Sequence, residues 1–293
     1  MVFNFKTLAG FRPNFKKLIS SKRVSLLGFV TAVALGGNVG VVQASELPKD
    51  VANSVMWEYV AKEFILSDKE GGDKIVMNDS VQVFAPKIAE DQMNIPVHVD
   101  ARGIENVRKI VVIADLNPLP KVLTYRPEKA APRLSFRIKV EQGTPIRAAV
   151  LDGKGVWHVG ATYVDAAGGG CSQPAAAHGQ DDWVASLTEV RAKIWRSAAK
   201  EFATMRVSIK HPMDTGLADG IPAFYVEDLV VKTPSGERLG RFEIHEPVSE
   251  NPTLTLYPKI KGSVDHVVLS GRDNEGNLIK VSVPAPVQSS SLQ

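Results

Sequence analysis

The chain is predicted to be mainly β, folded as two β-sandwiches in series, and three observations carry that prediction. Short segments alternate apolar and polar residues along most of the length, turn-forming residues separate them, and helical periodicity is sparse. Two sets of such strands at this spacing indicate two sandwiches.

The first residues stand apart from the fold. Residues 1–23 carry Lys6, Arg12, Lys16, Lys17, Lys22 and Arg23 and no acid. An uncharged stretch follows over 24–42, and Val42-Gln43-Ala44 closes it with small residues. That order is the order of a secretory signal peptide, with a cut expected after Ala44. An uncleaved membrane anchor is the alternative, but the glycines and Asn38 weaken the stretch as a span. Removal of 1–44 takes six basic residues from the 35, leaving 29 against 32 acids, a net charge of about −3. A mature chain with that balance has no electrostatic footprint for nucleic acid, and no stable membrane insertion is expected once the signal is cleaved.

Residues 51–66 read as an amphipathic helix with Val51, Val55 and Tyr59 on its apolar stripe. Strands follow at 81–85, 96–101, 133–140, 146–151 and 156–163, and the continuous apolar run at 109–116 suits a sandwich centre. Asp152-Gly153-Lys154-Gly155 is the turn of a hairpin. A connecting helix is expected over 181–202, with Leu187, Val190, Ile194 and Ala198 on one stripe. The second strand set comprises 204–211, 224–233, 238–245, 253–260, 266–272 and 278–283. The domain plan is therefore a signal peptide at 1–44, a first sandwich at 45–180, the connector, a second sandwich at 203–286 and a disordered Pro- and Ser-rich tail at 287–293.

Cys171 is the one cysteine, and Gly168-Gly169-Gly170 precedes it. Three glycines give the backbone freedom and no side chain to pack, so the run reads as a flexible arm presenting a thiol. A lone cysteine in an exported chain has no internal disulfide partner and points to a reactive or intermolecular role. An exposed thiol of ordinary pKa, about 8.5, is only slightly ionised at neutral pH, which suits a carrier activated by its partners. His178 lies seven residues on, but one Cys and one His make no zinc site, and a solvated loop histidine is expected. Trp157, Trp183 and Trp195 are expected to pack in core or interface. No nucleophile elbow, HExxH, Walker loop or dinucleotide fingerprint occurs, so neither catalysis nor a cofactor is expected.

The glycine–cysteine run after a strand resembles the swinging arm of SoxY, a carrier of sulfur intermediates in thiosulfate oxidation. Ile209-Lys210-His211-Pro212-Met213-Asp214-Thr215-Gly216 is similar to the start of SoxZ, its partner. Pro222-Ala223-Phe224-Tyr225 and Ser249-Glu250-Asn251-Pro252 also sit where a SoxZ-like chain has them. The order Y then Z in one chain, with Val156-Trp157-His158-Val159-Gly160, resembles the fused SoxYZ-like carriers associated with quinoprotein dehydrogenases. The resemblance implies two Ig-like β-sandwich domains, covalent cargo on Cys171, and a Y–Z junction near His211, Pro212 and Met213. It also implies periplasmic partners, either Sox-type redox enzymes or a quinoprotein dehydrogenase and a cytochrome c. In SoxY the arm is the chain terminus, whereas Cys171 is internal and its loop is tethered at both ends. A non-covalent docking or assembly module for the same dehydrogenase is the alternative.

Overall fold

The computed structural model describes residues 46–197 and 200–286. The expected signal peptide at 1–44 and tail at 287–293 lie outside the described residues.

Eight strands form the first half: β1 (Ile75–Met77), β2 (Gln82–Phe84), β3 (Ile95–Asp100), β4 (Lys109–Ala114), β5 (Lys121–Arg126), β6 (Ala130–Ile138), β7 (Thr144–Leu151) and β8 (Trp157–Val164). Seven form the second: β9 (Val190–Trp195), β10 (Thr204–Ile209), β11 (Val226–Lys232), β12 (Arg238–Ile244), β13 (Thr253–Pro258), β14 (His266–Asp273) and β15 (Leu278–Pro284). The two sandwiches do not stand apart. One sheet runs β1-β8-β7-β4-β5-β12-β11-β14-β15 and the facing sheet runs β2-β3-β6-β13-β10-β9, so both sheets cross from one half to the other.

The crossings are antiparallel ladders. Phe242 pairs with Tyr125 between β12 and β5, and Leu256 pairs with Leu134 between β13 and β6. Tyr125 and Phe242 stack at 4.6 Å with planes 21° apart, and both are buried. These rings belong to a core that continues from Val97 in the first half to Leu269 in the second. Edge-to-edge joining also leaves fewer open sheet edges to guard against aggregation.

Strands β4 and β7 are buried along their whole length, which explains the unbroken apolar run of β4. Their second face is covered by the N-terminal segment. Trp57, Val60, Ala61 and Ile65 pack on Val111, Ile113, Ala149 and Trp157. Arg147 of β7 fastens this layer, pairing with Asp115 at 2.8 Å and with Asp50 at 2.5 Å beneath the Trp57 ring.

Two helix expectations are corrected. The N-terminal helix spans only α1 (Trp57–Val60), continued by a π-helical turn at Ala61–Leu66. Residues before it cannot join, because the Asp50 carboxylate accepts from the N–H groups of Ala52 and Ser54 and Asn53 sits at φ 48°. Val51 and Val55 are consequently exposed, and Trp57 leads the buried face. The connecting helix is instead a 3₁₀ turn at Trp183–Ser186 followed by β9. Val190, Ala192 and Ile194 alternate with Arg191, Lys193 and Trp195, and that two-residue period prevails because β10 supplies a ladder partner.

Candidate functional site

The loop after β8 returns along the end of β6 and turns the chain into the second half. Asp165 donates its N–H to Lys87 O and accepts from Ala89 N–H, holding the loop's start. Gly168 and Gly169 then take φ values of 108° and 87°, a left-handed region open to glycine at little cost. Gly169 N–H donates to Glu141 O and Gly170 N–H to Val140 O. A Cβ on Gly170 would lie 2.3 Å from Gln92 O and 2.5 Å from Val140 O. The glycines permit close backbone packing, and the expectation of a flexible arm at Gly168, Gly169 and Gly170 is corrected accordingly.

Cys171 is fully buried, which corrects the expectation of a presented thiol. Its backbone is anchored by both halves of the molecule. The Glu141 carboxylate accepts from Cys171 N–H at 3.0 Å, from Ser172 N–H at 3.1 Å and from Ser172 Oγ at 3.0 Å. From the second half, Thr215 Oγ1 donates to Cys171 O at 2.5 Å. Further along, Glu250 accepts from Ala176 N–H at 2.7 Å and from Ala177 N–H at 3.1 Å. Cys171 Sγ lies 3.6 Å from Lys139 O. Burial pushes the thiol up to about 12, against the lowering influence of Lys139, so in this closed state it is protonated at neutral pH.

Lys139 is a second buried ionisable group of the seam. It follows β6, and its Nζ donates to Met213 O across the junction. Burial pulls its ammonium down to about 8, against the raising influence of Cys171, Asp214 and Glu250. Met213 is buried at φ 54°, and its Sδ accepts from Val226 N–H.

His211 is buried against Phe224, with centroids 4.4 Å apart. Its Nδ1 accepts from Met213 N–H at 3.1 Å, and its Nε2 lies 3.5 Å from Asp273 Oδ2. Burial draws it down to about 4, so it is neutral at neutral pH. Pro212 joins His211, Trp183, Leu187 and Glu250 in lining a small cleft beside the cysteine loop. His178 is paired 2.8 Å from Asp214 Oδ2, with Trp183 edge-on to its ring. Trp157 is core, whereas Trp195 is partly exposed with Lys193 over its ring.

Four residues of the seam have contacts that sequence reasoning does not supply, although Thr215 and Glu250 fall within the SoxZ-like segments: Lys139, Glu141, Thr215 and Glu250. In the alternating run from Arg133 to Val140, Lys139 falls with the outward residues Arg133, Ser135 and Arg137. β6 ends at Ile138, and the Lys139 side chain reaches across the junction to Met213 O. The other three act through loop contacts more than 30 residues distant in sequence, for which periodicity has no signal.

Two family models match this chain. Residues 67–171 match the sulfur oxidation protein SoxY, a match that ends on Cys171, and residues 192–283 match the sulphur oxidation protein SoxZ. The chain carries SoxY and SoxZ domains in tandem, a fused SoxYZ-like arrangement. The SoxYZ-like chain is also similar to the sulfur carrier protein SoxY from Chlorobium limicola f thiosulfatophilum. That structure has 23% identity and a TM-score of 0.31, over 37% of this chain and 88% of that one. No curated protein matches. The junction between the SoxY-like and SoxZ-like halves is where Cys171, Lys139 and Met213 meet.

Proposed function

We propose that this SoxYZ-like protein holds a sulfur species, or another thiol adduct, covalently on Cys171 and presents it to partner redox enzymes. One observation carries the reading: the chain's single cysteine ends the SoxY match and sits in a loop fastened by side chains of both halves. Those fastenings are hydrogen bonds, which a docking partner can replace without unfolding the sandwiches.

In the closed seam the thiol is protonated and out of reach, so loading follows release of the 168–180 loop. The released thiol gives its proton to solvent, and the thiolate attacks an electrophilic sulfur of the cargo. An S–S bond forms at Cys171 Sγ, the bond from that sulfur to its leaving group breaks, and the leaving group departs with the electron pair. The balance needs no oxidant, and the carrier uses no cofactor of its own. The basic, apolar and small-residue order of 1–44 supports export to the periplasm. The partners there are Sox-type enzymes, or a quinoprotein dehydrogenase and its cytochrome c.

The test is intact mass analysis of the protein from its native compartment, before and after reductant, beside Cys171→Ser. A reducible increment confined to Cys171, other than glutathione or a dimer, supports the carrier. The burial of Cys171 favours a second reading, a non-covalent docking or assembly module. An unmodified thiol together with a fully functional serine variant would establish that one instead.

A further inference from the structure

The two sheets treat their arginines differently. Every arginine in the strands of the nine-stranded sheet has a carboxylate partner: Arg126 has Glu70, Arg147 has Asp50 and Asp115, Arg238 has Glu128, Arg241 has Asp228 and Arg272 has Glu227. On the six-stranded sheet Arg191 pairs with Glu189 at 3.3 Å. Arg133, Arg137 and Arg206 form no ion pair with a carboxylate among the described residues, and neither does Lys193. Ladder register puts all of these cations on the outer face. Arg137 is opposite Pro96, Arg133 opposite Asp100, Arg206 opposite both Thr255 and Lys193, and Arg191 opposite Ser208. The one acid on the face is Asp100, and Arg102 already holds it at 2.6 Å. The Arg133 guanidinium lies over the Tyr257 ring at 3.8 Å, and its Nε has no hydrogen-bond partner.

The rest of the face is shaped for contact. From Phe84 on β2 to Lys193 on β9 it crosses six strands, about 24 Å at ordinary strand spacing. An open groove of about 520 Å³ lies in it, lined by Phe84, Pro96, Ser135, Arg137, Thr255 and Arg206. Phe84 and Trp195 are exposed at the opposite edges. Arginine and aromatic side chains are those that protein interfaces concentrate. The groove also adjoins the segments that fasten the cysteine loop. Pro86 precedes Lys87, whose carbonyl accepts from Asp165 N–H; Arg137 stands two residues before Lys139, whose carbonyl touches Cys171 Sγ; and Thr253 stands three after Glu250, which holds Ala176 and Ala177. We propose that this face is a docking surface for a partner protein that offers a cluster of carboxylates, and that it seats that partner beside the cysteine loop. Unpaired cations on a flat floor of hydroxyls select an acidic protein surface. A bilayer is the poorer fit, because Phe84 and Trp195 stand apart on a sheet with no apolar helix face to enter it. The surface serves a covalent carrier and a docking module alike.

The experiment places p-benzoylphenylalanine singly at Ser135, Thr255 and Ser208 of the whole chain in cells that naturally make it. Irradiation is expected to join the face to one partner protein, at a segment rich in Asp and Glu, and mass spectrometry of the joined peptides reads both. Arg206→Glu should lower the yield by at least about fivefold, whereas Lys280→Glu, the same charge change on the nine-stranded sheet, should leave it unchanged. With that partner purified, affinity for the wild-type chain should fall by at least about tenfold between about 0.05 M and 0.5 M salt. Four results overturn the proposal: no cross-link from any of the three positions, a cross-link to a second copy of this chain, a partner segment without clustered acids, or equal losses in the two charge variants. Binding to phosphatidylglycerol vesicles that Arg206→Glu abolishes, with no protein joined, makes the face a lipid surface and overturns it too. Failure of the carrier reading shows separately, as cross-linking and function that both persist in Cys171→Ser.

Discussion

Glu141 is the residue that holds the thiol out of solvent, since one carboxylate accepts from Cys171 N–H, Ser172 N–H and Ser172 Oγ. Hydrogen bonds to a charged acceptor contribute about 1.5–3 kcal/mol each, so their loss shifts the closed–open balance strongly. Glu141→Ala is expected to raise the rate of Cys171 alkylation by at least about tenfold while circular dichroism stays that of the folded sheet. Equal rates in variant and wild type would show that the loop is closed by something else. His211 makes a second residue-scale prediction. Burial lowers it to about 4 from the ordinary 6.5, so the folded chain stays unprotonated there while the unfolded chain takes up a proton. Stability attributable to His211 is therefore fully present above about pH 6.5 and declines as pH falls towards 4, by up to about 1.4 kcal/mol per pH unit. Denaturant titrations at pH 7 and pH 5 should show that loss, and His211→Gln should reduce it.

At the scale of elements, the loop from β8 to β9 depends on backbones touching. A methyl on Gly170 meets the carbonyls of Gln92 and Val140, which accept from Val140 N–H and Gly170 N–H and cannot move without breaking those bonds. Gly170→Ala is expected to lower stability by about 1–3 kcal/mol, measured by denaturant unfolding. Gly179→Ala, where a methyl meets open space, serves as its control. The strands were largely legible in the sequence because their alternation follows burial: β6 alternates apolar and polar residues through Leu134, Phe136 and Ile138. The apolar run of β4 was legible too, as a strand buried on both faces. β9 was not, because Val190 and Ile194 satisfy a helical spacing as well as a two-residue one, and only the β10 ladder decides between them. The glycine run misleads for a related reason. Glycine marks freedom and close approach alike, and the carbonyls that distinguish the two belong to residues 92 and 140. Cys171 was legible as a residue, whereas its burial and its lysine were not.

The whole molecule is two halves sharing both sheets, so neither half has a finished edge without the other. Heat or denaturant should unfold it in one transition, with fluorescence and circular dichroism coinciding; two separated transitions would contradict the shared core. Phe242→Ala removes the ring that stacks on Tyr125 at the crossing of β12 and β5. It is expected to lower stability by about 3–5 kcal/mol and to move that single transition as a unit.

The bridge between Ile88 and Asp165 also fixes how far a cargo can travel. Cys171 lies six positions beyond Asp165, and that length of chain fully extended spans about 20 Å. The loop from Cys171 to β9 is longer, so the upstream leg is the shorter tether and sets the limit. An enzyme that works on Cys171 must therefore keep its reacting group at a shallow mouth and seat itself against the seam. A deep, narrow channel, which a free chain end could probe, lies beyond the range of a thiol moored on both sides.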